Sequence, residues 1–200
     1  MSNATTNTAG LSTNLLRRLA LMQHLGEDYF IIEGDAIEGI EPIVFEGSEE
    51  DAREGFLADI EGTEEPDIDA NFRIYCENNL TQVEEFNPDN YDNDYLVLTD
   101  SEADDKAKNY ITESLWAFTA SFLSERTGLD AEVFEAIQSN GKCESNNDTI
   151  YNLVQKLDDI DSFVDAAISA DGRGHFMSSY DGNENEEEVN GTTFYIYRIN

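Results

Sequence analysis

Apolar positions along the chain change their spacing more than once. In residues 11–25, Leu15, Leu16, Leu19, Met22 and Leu25 recur at helical spacing, with Ser12 or Thr13 placed to cap the start and Gly26 to stop the end. Four short runs rich in branched and aromatic residues then read as strands: 28–33 (DYFIIE), 42–46 (PIVFE), 71–76 (NFRIYC) and 94–99 (DYLVLT), each bounded by Gly, Pro, Asn or Asp. Between the second and third, 49–60 (EEDAREGFLADI) predicts a helix behind Ser48, its acidic first turn suiting the positive end of the helix dipole. Residues 61–69 (EGTEEPDID) read as an acidic loop.

From Ser101 the period becomes helical. Ser101 followed by Asp104 has the spacing of a capping box, and Ala103, Ala107, Tyr110, Ile111, Leu115, Phe118 and Phe122 carry one helix to Gly128. Its stretch 115–123 (LWAFTASFL) is apolar on nearly every face, which predicts a central, buried helix around Trp116. Shorter helices follow at 130–139, 147–157 and 159–170, the first and third stopped by Asn140-Gly141 and Asp171-Gly172. Strand-like runs at 175–180 and 192–198 flank the turn signals Asp181-Gly182 and Asn190-Gly191 and predict a closing hairpin. The expected fold is therefore α+β: a disordered 1–10, an acidic α/β region at 11–100, and a small helical region at 101–200 ending in the β-hairpin, packed as one domain.

Charge changes this picture more than composition does. The 200 residues hold 44 Asp and Glu against 11 Lys and Arg, a formal charge of −33. Residues 26–105 carry 27 of those acids against Arg53 and Arg73 alone, whereas 1–25 hold Arg17, Arg18 and no acid. Direct binding to nucleic acid or to an anionic membrane is excluded, because both need clustered cations. With no apolar run long enough to span a bilayer, the expectation is a protein of the cytoplasm. Cys76 and Cys143 form no disulfide framework and read as small apolar residues in a reducing compartment.

Candidate chemistry is sparse. His24 and His175 lie in unrelated segments, neither in a metal-binding spacing, and no phosphate loop or nucleophile motif occurs. The segment Asp171-Gly172-Arg173-Gly174-His175 places an acid, a cation and a titratable base in one turn. It is where an enzymatic alternative would reside, although a structural turn explains it more simply. Residues 89–94 (DNYDND) lack the glycine and closing glutamate of a calcium loop. No metal, cofactor or catalytic residue is expected.

Two stretches, YLVLTDSEADDKAKNYITESLWAFTASFL and ISADGRGHFMSSYDGNENEEEVNGTTFYIYRIN, resemble a family of small acidic proteins common in tailed-bacteriophage genomes, over about residues 94–200. The resemblance implies expression inside a bacterial host and carries no activity or catalytic residue with it. Carboxylates three or four residues apart on a helix lie about 5–6 Å from one another, comparable to phosphates along a strand. The expected function is accordingly non-enzymatic: inhibition of a basic host protein, a defence or nucleic-acid-processing complex, by occlusion or DNA mimicry. The candidate surface comprises Glu46, the helical Glu49, Glu50, Asp51, Glu54 and Asp59, the loop residues Glu61, Glu64, Glu65, Asp67 and Asp69, and Glu84, Glu85, Asp89, Asp92 and Asp94. Two alternatives remain beside the enzyme. Four lysines against 44 acids is a halophile-like balance, and charge can also serve solubility alone. The N-terminal helix is a further candidate for dimerisation or partner docking.

Overall fold

Alternation along two strands organises the molecule. The fold is α+β in a computed structural model that describes residues 12–32, 43–60, 71–72, 74–76, 94–139 and 146–200. Strands β3 (Tyr95–Leu98), β4 (Asn185–Val189) and β5 (Thr192–Arg198) form an antiparallel sheet in the order β3-β5-β4. Val97, Phe194 and Ile196 face one side, where helix α1 (Thr13–Leu25) covers them with Leu16, Leu19, Ala20 and Met22. Leu96, Leu98 and Tyr197 face the other, against Ala103 and Ala107 of α3 (Asp100–Glu113) and Met177 of α8 (Arg173–Met177). Strand segments covered on both faces need apolar residues at every position, which 95–98 and 194–197 supply.

Helix α1 starts where Ser12 Oγ accepts from Leu15 N at 3.3 Å and stops at the left-handed Gly26. It is a core helix. Its Arg17 is buried, donating from Nη1 to Val97 O at 3.1 Å and from Nη2 to both carboxylate oxygens of Glu102 at 2.7 and 2.8 Å. Glu102 at the same time closes the start of α3, accepting from Thr99 N at 2.9 Å and Thr99 Oγ1 at 2.7 Å. The capping box is thus Thr99 with Glu102, two residues earlier than the Ser101 and Asp104 expected. Both pairs have the right spacing; Arg17 stabilises Glu102, and Asp104 is engaged elsewhere.

The single helix expected over 101–128 is instead α3, a 3₁₀ turn (Leu115–Ala117) and α4 (Ala120–Thr127). Hydroxyl groups break it. Ser114 Oγ donates to Tyr110 O at 2.6 Å, and Thr119 Oγ1 accepts from Phe122 N at 3.2 Å to cap α4, bonds that compete with continuous helix. The all-round apolarity of 115–123 belongs to this corner: Leu115 and Leu123 are fully buried, Trp116, Phe118 and Phe122 half-buried, and Ala117 and Thr119 exposed. Trp116 is therefore not the centre of a buried helix. Helices α5 (Ala131–Ser139), α6 (Asn147–Leu157) and α7 (Ile160–Asp171) complete this layer around Phe134, Ile150, Val154 and Phe163.

The expected strand at 175–180 is also corrected. His175 lies in α8, and the partner of β5 is β4, whose sequence NEEEV has little strand propensity. Register decides it: Asn190 and Gly191, at φ 53° and 72°, form the two-residue turn that pairs Val189 with Thr192.

Strands β1 (Tyr29–Ile32) and β2 (Ile43–Glu46) make a separate antiparallel pair, and helix α2 (Glu49–Asp59) follows behind the Ser48 cap. Phe56 packs with Phe72 and Cys76, flanked by Phe30 and Tyr75. Residues 71–72 and 74–76 are helical rather than a strand. Phe72, Tyr75 and Cys76 stand at the three- and four-residue spacing that packs on Phe56, while the branched Ile74 is exposed. Cys76 is a free, buried thiol, its pKa pushed up by that burial. Residues 1–11, the 61–69 loop, 89–93, Cys143 and the Asn140-Gly141 stop lie outside the described residues.

Burial by itself would raise the Glu102 carboxyl, but hydrogen bonds from Arg17 and Thr99 hold it at about 2, against an ordinary 4.5. A depressed folded-state value contributes stability above pH 4.5 that disappears as pH falls towards 2. Urea unfolding across that window should show this loss, and Glu102→Gln should flatten it. Arg17→Met should cost about 1.5–3 kcal/mol at neutral pH, nearer the lower figure because Glu102 is half-exposed.

Candidate functional site

Helix α2 exposes its acids of the candidate surface around the axis rather than along one face. Ala52, Phe56 and Ile60, four residues apart, turn towards the small core, which leaves Glu49, Glu50, Asp51, Glu54 and Asp59 exposed. They are not equivalent. Asp51 accepts from Ser48 Oγ at 2.6 Å while its amide donates back to that oxygen at 3.2 Å, so it belongs to the helix cap. Glu49 accepts from Arg53 Nε at 2.7 Å, and the Arg53 guanidinium lies 4.4 Å from the centre of the Phe72 ring. Among the described residues, Glu50, Glu54 and Asp59 have no such role. Asp94 is exposed beside β3, away from α2 in sequence. The side chain of Glu46 and all of Glu61, Glu64, Glu65, Asp67, Asp69, Glu84, Glu85, Asp89 and Asp92 fall outside the described residues.

The 171–175 turn has a different occupation from the one its sequence suggests. Arg173, 12% exposed, donates from Nη1 to Asp100 and Asp104 at 2.8 Å each, and from Nε and Nη2 to Glu184 at 2.9 and 3.1 Å. Its guanidinium also stands 4.3 Å from the Tyr195 ring centre. Burial opposes its charge, but hydrogen bonds to Glu184 and Asp100 outweigh that and raise its pKa further. A guanidinium ringed by three carboxylates cannot clamp a substrate anion. Tyr197 completes the group by donating to Glu184 at 2.5 Å, and its phenol is held protonated by burial and by that carboxylate.

Asp171 and His175 do not join this cluster. Both are exposed, and His175 makes an edge contact with the Phe176 ring at 5.0 Å. The turn is built from backbone instead. Gly172 ends α7 with a positive φ of 80°, although its ψ of 156° is extended rather than left-handed helical. Gly174 is buried where a Cβ would press on Gly182 O and lie 2.7 Å from Asn183 C and 2.8 Å from Glu184 N. That close approach brings Glu184 to Arg173. Sequence reading missed Asp100, Asp104, Glu184 and Tyr197 as partners, since Asp100 and Asp104 lie 73 and 69 residues from Arg173.

Among the described residues no group of three or more His, Cys, Asp or Glu is arranged to hold a metal ion, and no helix is long and apolar enough to cross a membrane. No family of known proteins, no curated protein and no solved structure matches the chain.

Thermal unfolding should order three substitutions by these contacts. His175→Ala should cost about 1 kcal/mol at most, as an exposed residue does. Gly172→Val should cost more, because a branched residue disfavours positive φ. Gly174→Ala should cost most, about 1–3 kcal/mol or more, by forcing the 182–184 backbone away from Arg173.

Proposed function

We propose that the protein is a non-enzymatic acidic inhibitor that occupies a basic surface of a partner protein, in the manner of a nucleic-acid mimic. The observation that carries this reading is the exterior of α2, where Glu50 and Glu54, four residues apart, share the outward face and Asp59 is exposed in the last turn, all three uncommitted to the helix cap. They sit in the 26–105 stretch that holds 27 acids and two arginines. In the phage setting that the sequence resemblance implies, the partner is a host defence or nucleic-acid-processing protein whose cationic groove takes these carboxylates in place of phosphates.

The absence of an available cation at 171–175 weighs against the enzymatic alternative, because Arg173 is consumed by three carboxylates. A merely solvating surface differs from an inhibitory one in kinetics. Complementary charge accelerates encounter and makes it salt-dependent, whereas solvation has no partner to find.

Capture from host lysate at low and high salt, followed by binding kinetics with the protein recovered, tests the reading. Glu50→Gln, Glu54→Gln and Asp59→Asn together should slow association by about tenfold and flatten its salt dependence, with the fold unchanged. An unaltered association rate would reject α2 as the contact, and capture that survives high salt undiminished would reject electrostatic occlusion.

A further inference from the structure

The sheet has two edges, and the fold treats them differently. Ile199 N donates to Asp94 O at 2.7 Å, so Leu96 with Tyr197 and Leu98 with Tyr195 are the hydrogen-bonded pairs of β3 and β5. Tyr95 and Val97 therefore turn their backbone groups outward, and Val97 O is occupied by Arg17 at 3.1 Å. The β3 edge is plugged by a buried side chain.

Among the described residues no side chain plugs the β4 edge in this way. The two-residue turn makes Val189 with Thr192 a hydrogen-bonded pair, as are Glu187 with Phe194 and Asn185 with Ile196. The amide and carbonyl groups of Glu186 and Glu188 consequently point away from β5, and among the described residues no strand pairs with β4 on that side. The side chains of Glu186 and Glu188 are exposed and share one face of the strand. Glu187 faces α1, accepting from Gln23 Nε2 at 2.6 Å with His24 Nδ1 at 3.7 Å.

We infer that the outer edge of β4 is a docking site for an extended basic segment of a partner protein, added as a fourth antiparallel strand. Four outward backbone groups supply the ladder, and two carboxylates spaced two residues apart face alternate side chains of the incoming strand. Directly opposed side chains have Cβ atoms about 4.5–5.5 Å apart, so Lys or Arg at alternate positions meets Glu186 and Glu188. A second copy of β4 would set glutamate against glutamate, which is destabilising. The same acids that keep the edge from pairing with itself thus select a cationic strand. This site is separate from α2 and does not depend on the reading given to that helix.

The test uses the full ¹⁵N-labelled chain and a short synthetic peptide alternating Lys and Val, with an alternating Glu and Val peptide as control. Saturable shifts should be largest at the Glu186 and Glu188 amides, and the acidic peptide should produce none. Glu186→Pro and Glu188→Pro each remove one outward donor while sparing the bonds to β5, and should weaken binding by about five- to tenfold. Glu186→Lys with Glu188→Lys, which alters only exposed side chains, should abolish it. The triple α2 variant should bind the peptide as the wild type does, which separates this site from the acidic helix. Wild-type affinity in the lysine variant, wild-type affinity in natively folded proline variants, or shifts centred on α2 would overturn the inference.

Discussion

Arg173 gathers three carboxylates, Asp100 and Asp104 from the start of α3 and Glu184 from the residue before β4, and lays its guanidinium on Tyr195 of β5. In a chain with four times as many acids as bases, such a cation is the means by which acidic segments approach one another. Without it, Asp100, Asp104 and Glu184 would repel across the junction of sheet and helices. Tyr197 adds a neutral donor to Glu184, and burial keeps that phenol protonated, so the cluster holds one cation, three anions and a hydroxyl in a fixed arrangement. The glycine at 174 makes the geometry available by letting the 182–184 backbone come close.

The same arrangement recurs elsewhere. Arg17 joins α1, the β3 edge and the cap of α3, and Arg126 of α4 makes a two-pronged bond to Asp158 at 2.9 and 3.0 Å, just past the end of α6. Each of these cations ties together elements distant in sequence. Carboxylates left over, on α2 and on the β4 edge, face solvent. Internal use of the cations and external display of the acids are thus one pattern: the few positive charges stabilise the fold, and the remaining negative ones define how its surface meets other molecules.

Much of this was legible in the residues where a local rule decides the outcome. The Ser48 and Gly26 caps, the α6 boundaries and the strand at 192–198 follow from spacing and side-chain type alone. Elements fixed by distant partners were not. NEEEV becomes a strand because Asn190-Gly191 returns the chain onto it, and residues 71–72 and 74–76 become helical because Phe56 receives Phe72 and Tyr75 on one face. The break between α3 and α4 turned on two hydroxyl groups within an otherwise periodic apolar run. The acids of α2 were identified as exposed from sequence, but the role of Asp51 in the cap, and the use of Arg173 as a structural tie rather than as the cation of an enzymatic turn, required the three-dimensional arrangement.

The balance between these internal ties and the surrounding repulsion is measured most directly by melting temperature against sodium chloride concentration at neutral pH. Screening acts within about 10 Å at 0.1 M salt and weakens exposed, separated charges far more than contact pairs that are partly buried. If arginine ties hold an otherwise self-repelling surface together, the melting temperature should rise steadily from low salt to physiological salt, and Arg173→Met should lower the whole curve without reversing its slope. A melting temperature that falls as salt is added would mean that attraction between exposed charges dominates the folded state, and would contradict the account.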